Sequence, residues 1–295
     1  PESIVRTASA GCQPLWAFCA THDTGHRGLF AAECTAEKTA VRCKRFRGTF
    51  LEVVGTAVGG VSLAHNPQAI GFHYNDRMDY AARLLVFDLD GTLVDSKEDL
   101  ANAVNVALES FDLPPLPHPV IYSYVGDGAS VLILRALPKE KADLLPEVLD
   151  RFLAYYRRHL LDTTRAYPGV VGALRKWAGI YRMAVLTNKG VAMTRETLSG
   201  LSLDGYFFEV RGGDSFGTKK PDPEGLLHIL REAGVEAREA VMIGDSRNDV
   251  QAGRAAGAVT CGVTYGLGAS GFAEHPPDFT VDRFPDLFTR IRPIL

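Results

Sequence analysis

Cysteine is scarce over most of this 295-residue sequence: Cys12, Cys19, Cys34 and Cys43 crowd the first segment and only Cys261 follows. A disulfide framework is conceivable for that segment and has no basis in the rest. No run of about 18 apolar residues occurs, so nothing reads as a membrane-spanning helix. Lysine-rich or arginine-rich blocks are missing and the net charge is only −3, which gives no sign of a nucleic-acid partner. Methionine is absent from residues 1–77, whereas Met78, Met183, Met193 and Met242 follow. What is present, 46% hydrophobic and 23% charged residues, is the composition of a globular protein long enough for one large domain or two ordinary ones.

From Arg83 onward the sequence becomes orderly. RLLVFD (83–88), YRMAVLTN (181–188), AVMIGD (240–245) and AVTCGVTY (258–265) are continuous apolar runs of strand length, and YFFEVRGGD (206–214) is a weaker one. Helical patterns lie between them: GVVGALRKWAG follows a Pro168-Gly169 turn, and EGLLHILREAG ends at Gly234. This alternation predicts an α/β fold with a doubly wound, mostly parallel sheet. Residues 97–166 interrupt it and hold no convincing strand. SKEDLANAVNVALESF places Leu100, Val104, Leu108 and Phe111 on one helix face, with Ser96 as a candidate cap. ASVLILRAL and LLPEVLDRFLAYYRRHLL also read as helices. The expected organisation is a core of residues 78–96 and 167–295, a small helical cap domain at 97–166 inserted into it, and an N-terminal extension at 1–77.

Open α/β sheets bind ligands at the carboxyl ends of their strands. There the predicted strands carry Asp88-Leu89-Asp90, Thr187-Asn188 and Gly244-Asp245. Residues i and i+2 of a strand face one side and Gly91 permits a sharp turn, so both aspartates are able to face one pocket. Asp249 follows Asp245 by four residues, at the head of a helix expected near Ser246. Such carboxylates repel and do not fold together unpaired. A hard divalent cation such as Mg²⁺ resolves the conflict and favours a phosphate ligand. The Thr187 hydroxyl, nearby backbone N–H groups and Lys220 supply donors for that phosphate. Each piece alone has a plainer reading: a solvated turn for DxD, a helix cap for Thr187, a surface turn for KKPDP and a capped helix start for GDSRND. Together, in chain order at strand ends, they fit one phosphate and one metal.

The set resembles the haloacid dehalogenase superfamily in its phosphatase branch. DLDGT (88–92) resembles the first motif, Thr187 the second, Lys220 in KPDP the third and GDSRND (244–249) the fourth, over about Arg83 to Ile294; the helical insertion resembles the cap domain. YVGDGASVLILRAL (124–137), RGGDSFGTKKPDP (211–223) and GVTYGLG (262–268) resemble the bacterial phosphoglycolate phosphatases. The resemblance implies Asp88 as a nucleophile that forms an aspartyl-phosphate, and Asp90 as general acid and base. It implies Mg²⁺ held by Asp88, the Asp90 backbone carbonyl and Asp245 with Asp249 close by, and phosphoryl oxygens held by Thr187, Asn188 and Lys220. The implied activity is phosphomonoester hydrolysis of a small phosphorylated metabolite, 2-phosphoglycolate foremost, by a cytoplasmic monomer or small homo-oligomer. Dehalogenases that resemble this fold lack the second aspartate, because no alkoxide leaving group there needs a proton; Asp90 argues against that reaction. A phosphosugar mutase, and a pyrophosphatase or nucleotide phosphatase of the same superfamily, are alternatives that keep every motif. A non-catalytic phosphate-binding scaffold is a third, although it has no need of a nucleophile.

Substrate identity is expected to lie in the cap. The loop VGDGAS (125–130) either closes over the site or is an ordinary turn. Arg135, Lys139, Arg157, Arg158, His159 and Arg165 are the cap's cations, one of which a carboxylate-bearing substrate would want. Residues 1–77 belong to none of this. Cys19, His22 and His26 lack the tight Cys-x-x-Cys pair of a zinc site. TFLEVVGTAVGGVSLA (49–64) faintly resembles a signal peptide, but it is internal and carries Glu52. Met78 lies ten residues before Asp88, about where proteins resembling this family begin. The expectation is that the protein starts at Met78 and that the preceding segment makes few core contacts.

Overall fold

The computed structural model describes residues 80–294 and, before them, the backbone of five short strands, β1 (Leu15–Ala17), β2 (Phe30–Ala32), β3 (Cys34–Glu37), β4 (Ala40–Cys43) and β5 (Glu52–Val53). The chain divides into two units, residues 1–73 and 74–295. In the first, β1 pairs with β2, and β3, β4 and β5 form a three-stranded antiparallel sheet. The expectations on core contacts and on the start at Met78 fall outside the described residues.

The second unit opens with β6 (Tyr80–Ala82) and β7 (Leu84–Phe87). All four residues of β7 are fully buried, worth about 1.5–3 kcal/mol for each large side chain. Side chains alternate across a strand, so Leu85 and Phe87 join one apolar cluster, with Trp177 and Phe284, while Leu84 and Val86 join another, with Leu226 and Ile229. This is the signature of a parallel strand covered on both faces. Around it stand β10 (Arg182–Leu186), β11 (Glu209–Arg211), β12 (Ala240–Gly244), β13 (Val259–Val263) and β14 (Phe279–Val281), in the order β11-β10-β7-β12-β13-β14 with every neighbour parallel. Phe87 stands opposite Val185 and Ile243, so the residues just beyond all three strands emerge at one edge. The helices α5 (Val170–Trp177), α6 (Val191–Gly200), α7 (Glu224–Ala233) and α8 (Arg247–Ala256) lie between the strands in sequence. The doubly wound α/β sheet is as the sequence indicated.

Between β8 (Val94–Asp95) and β9 (Arg165–Ala166) run α1 (Lys97–Glu109), α2 (His118–Tyr122), α3 (Ala129–Ala136) and α4 (Leu145–Tyr156). They bury a cluster of their own, with Leu100, Val104, Leu108, Ile133, Val148 and Phe152 at its centre. Asp99 fastens α1 to the end of this segment: its carboxylate accepts from the backbone N–H and hydroxyl groups of both Thr163 and Thr164 at 2.7–3.0 Å. Those bonds outweigh burial and hold the Asp99 carboxyl below the usual carboxylate range.

The structure corrects the reading of residues 96–166 in two places. Arg165–Ala166 is a strand, pairing antiparallel with β8. Ser96 stands at the head of α1 but makes no side-chain cap bond; its hydroxyl turns instead to Asp90. The pairing of β6 with β15 (Ile291–Pro293), strand β14 and the short α2 have no counterpart in the apolar pattern. Among the described residues no helix is long and apolar enough to cross a membrane.

Candidate active site

The carboxyl edge of the sheet gathers the predicted residues. Asp88 is the first residue after β7, Thr187 and Asn188 follow β10, and Asp245 follows β12; all four are buried. The turn after Asp88 needs glycine at position 91: φ is +87°, and a Cβ there would collide with the Asp245 carboxylate. Asp249 lies in the first turn of α8. Its Oδ2 accepts from the Ser246 backbone N–H at 3.0 Å and the Ser246 hydroxyl at 2.8 Å, a capping box that leaves Oδ1 for other work.

Asp88, Asp245 and Asp249 each present an oxygen, all within 4.8 Å of one another. Lys220 Nζ, itself buried, donates to Asp88 Oδ1 at 2.7 Å and to Asp249 Oδ1 at 2.6 Å. Asp245 Oδ2 accepts from the backbone N–H groups of Leu267 at 2.6 Å and Gly268 at 3.1 Å. One lysine does not balance three carboxylates. Burial pushes the Asp245 carboxyl up to about 8, with Asp88 and Asp249 adding to the rise. Burial likewise pushes Asp88 up to about 6, against the pull of Lys220. Buried, oxygen-only and over-negative, the cluster fits a hard divalent cation. Asp88, Asp245 and Asp249 would hold it; the Asp90 carboxylate is not in the cluster.

Asp90 faces different neighbours. Its Oδ1 accepts from Ser96 Oγ at 2.6 Å and from Lys189 Nζ at 3.1 Å. Lys189 Nζ also donates to Tyr156 Oη at 2.6 Å, which ties the core to α4. Burial lowers the Lys189 ammonium, but the Asp90 carboxylate and the hydrogen bonds to Asp90 and Tyr156 outweigh it and raise it. Sequence reasoning missed Ser96 as a partner of Asp90, and Lys189 and Tyr156 altogether. The one available signal was a lysine directly after Thr187-Asn188 at a strand end.

The glycine-rich loop of residues 125–130 lies against the core. The carbonyl of Gly126 accepts from Asn188 Nδ2 at 2.9 Å and Asn248 Nδ2 at 3.2 Å. Asn248 Nδ2 also donates to Asp127 Oδ1 at 2.7 Å, and Lys219 Nζ donates to the Asp127 carbonyl at 2.6 Å. Asn188 Nδ2 has a second acceptor, the Lys220 carbonyl at 2.9 Å, so the Asn188 amide expected to meet phosphate is engaged by two loops. Lys220, also expected on phosphate, is engaged by Asp88 and Asp249. Thr187 lines the cavity under the loop, with its Oγ1 accepting from the Lys189 backbone N–H at 3.3 Å.

That cavity measures about 60 Å³. Asp88, Asp90, Thr187, Asn188 and Lys189 line its polar end, and Leu100, Val125, Leu132, Phe152 and Met193 wall the rest. None of the cap cations singled out from sequence reaches it. Arg135 binds Asp127 and the Tyr124 carbonyl, Arg157 binds Glu196, and Arg158 binds the Ala154 carbonyl. His159 binds Asp162, Arg165 binds nearby carbonyls, and Lys139 is exposed.

The family model described as haloacid dehalogenase-like hydrolase matches residues 85–263. The phosphoglycolate phosphatase of Neisseria meningitidis is 39% identical over 220 residues, 71% of this chain and 93% of that protein. That of Haemophilus influenzae (strain KW20) is 39% identical over 223 residues, 72% of this chain and 99% of the relative. The crystal structure of a protein described as a predicted phosphoglycolate phosphatase from Haemophilus somnus superposes with a TM-score of 0.66 at 33% identity, covering 70% of this chain and 96% of that one.

Proposed function

This chain belongs to the haloacid dehalogenase-like hydrolases, and from that premise we propose a Mg²⁺-dependent phosphatase that cleaves 2-phosphoglycolate through an aspartyl-phosphate on Asp88. One observation carries the reading. Asp88 and Asp90 share a segment and a cavity but have separate partners, Lys220 and the carboxylate cluster for one, Ser96 and Lys189 for the other. Two carboxylates in unlike surroundings are suited to unlike tasks.

In the first step an Asp88 carboxylate oxygen bonds to phosphorus, the bond from phosphorus to the glycolate oxygen breaks, and Asp90 gives that oxygen its proton. In the second, water attacks phosphorus, Asp90 takes its proton, and the Asp88–phosphorus bond breaks to release inorganic phosphate. Lys220 holds Asp88 in place, and the Thr187 hydroxyl donates to a phosphoryl oxygen. Mg²⁺, when bound by Asp88, Asp245 and Asp249 with the Asp90 backbone carbonyl, supplies positive charge to the phosphoryl group.

The cavity bears on the alternatives. Beyond its polar end the walls are apolar, Leu100, Val125, Leu132, Phe152 and Met193, which offers the several hydroxyls of a hexose or a nucleoside few partners and disfavours the mutase and nucleotidase readings. A small metabolite as substrate also suits the cytoplasm, where we place the activity. A panel of phosphate esters tests the reading: kcat/KM is expected to be highest for 2-phosphoglycolate and at least tenfold lower for glucose 6-phosphate and nucleoside monophosphates. A higher value for a sugar phosphate or nucleotide would overturn the substrate assignment.

A further inference from the structure

The cavity between the helical segment and the sheet contains one lysine or arginine, and it comes from the core. We infer that Lys189 binds the substrate's carboxylate and selects a two-carbon phosphorylated acid, an assignment that rests on the proposed phosphoglycolate reading. The side chain is buried, with 6% of its surface exposed. Among the described residues its Nζ has two hydrogen-bond partners, Asp90 Oδ1 at 3.1 Å and Tyr156 Oη at 2.6 Å. An ammonium has three N–H donors. One donor therefore remains for a ligand, on a residue that lines the cavity.

The surroundings make this donor decisive. Leu100, Val125, Leu132, Phe152 and Met193 offer an anion nothing. A carboxylate enters such a space only where a cation meets it. The cap's arginines and histidine have partners elsewhere, so no second cation competes for the role. Tyr156 holds the lysine against the core, its ring 4.6 Å from Nζ and its hydroxyl accepting from it.

Spacing then selects chain length. In the proposed reaction Asp90 faces the leaving oxygen. In 2-phosphoglycolate one methylene separates that oxygen from the carboxylate carbon. A cation 3.1 Å from Asp90 stands where the carboxylate of a two-carbon acid ends. An extra methylene carries the carboxylate past it, towards the apolar wall.

The test measures kcat/KM of the full chain with Mg²⁺ for three esters: 2-phosphoglycolate, the acid one methylene longer (3-phosphonooxypropanoate), and ethyl phosphate, which lacks the carboxylate. Wild type, Lys189→Met and Lys189→Gln are compared. Because Lys189 also touches Asp90, every rate is expected to fall in the variants. The readout is the preference for 2-phosphoglycolate over ethyl phosphate, which is expected to drop about 10- to 100-fold, the worth of one hydrogen bond between charged groups. An equal loss on both esters would leave Lys189 as a positioning residue for Asp90 and overturn the proposal. A wild-type enzyme without preference for 2-phosphoglycolate contradicts the substrate reading itself, whereas a wild-type preference retained by both variants contradicts only the role of Lys189. The wild type alone supplies a further check that needs no folded variant. At least a tenfold preference over the longer acid is expected, and equal values would refute the spacing.

Discussion

Asp88 and Asp90 are two residues apart, yet each faces a different lysine from far away in sequence. Lys220 steadies Asp88, while Ser96 and Lys189 hold Asp90. If Asp90 moves the proton, Asp90→Asn slows hydrolysis of alkyl phosphates by a factor of about 10²–10⁴, and phosphorylation by nitrophenyl phosphate, whose leaving group needs no proton, by much less. Equal losses in the phosphorylation step for the two classes would remove the acid role. The carboxylate cluster gives a second expectation, on stability. Without a cation, burial raises Asp88 to about 6 and Asp245 to about 8, above the unfolded value near 4. The folded state then binds protons that the unfolded chain has lost. Their contribution to stability is complete below about pH 4 and disappears as pH rises through the two folded values. A divalent cation takes the place of those protons, so its stabilising effect grows with pH. Calorimetry in chelator and in excess Mg²⁺ is expected to give a small rise in Tm at pH 5 and a larger one at pH 8. The same rise at both would show that the cluster does not bind the ion.

Among the elements, the loop of residues 125–130 is the candidate lid, since it lines the cavity. It is fastened by side chains of core residues: Asn188 and Asn248 donate to the Gly126 carbonyl and Asn248 also to Asp127. Asn248→Ala removes two of these bonds, and a closed state weakened by about 1–2 kcal/mol is populated roughly 5- to 30-fold less. The expected result is a fall of that size in kcat/KM with Tm changed by only a few degrees; unchanged kcat/KM would mean that the loop is no lid. This latch was half legible in the sequence. The glycines of VGDGAS pointed to a special loop, but its partners lie some 62 and 122 residues away and leave no local mark. The central strands were legible because a strand covered on both faces needs an unbroken apolar run, as in Leu84–Phe87. The edge elements β14, β6 and β15 were not, since three-residue pieces such as Phe279–Val281 carry too little pattern. Ser96 was misread for a related reason. Local propensity favours a cap, and a tertiary contact with Asp90 takes the hydroxyl instead. The three cluster aspartates stood out because like charges at strand ends require an explanation. Lys189 did not, because its meaning depends on Tyr156, 33 residues earlier on a different element.

At the scale of the whole unit, the sheet supplies chemistry and the inserted helices supply enclosure. β7, β10 and β12 bring Asp88, Thr187 and Asp245 to one edge, and α1, α3 and α4 contribute the apolar wall that limits the cavity to about 60 Å³. A lysine–tyrosine bond from Lys189 to Tyr156 joins the two halves beside Asp90. The central claim is that this arrangement makes Asp88 a nucleophile, and the covalent intermediate tests it most directly. In Asp90→Asn the second step lacks its base, so an enzyme phosphorylated by nitrophenyl phosphate should lose the phosphoryl group slowly. The variant, mixed with nitrophenyl phosphate and quenched in acid, is digested and mapped by mass spectrometry. The account predicts one phosphoryl group on the peptide carrying Asp88, absent when Asp88→Asn is combined with Asp90→Asn. A phosphoryl group on any other residue, or turnover by Asp88→Asn above about a tenth of the wild-type rate, would contradict it.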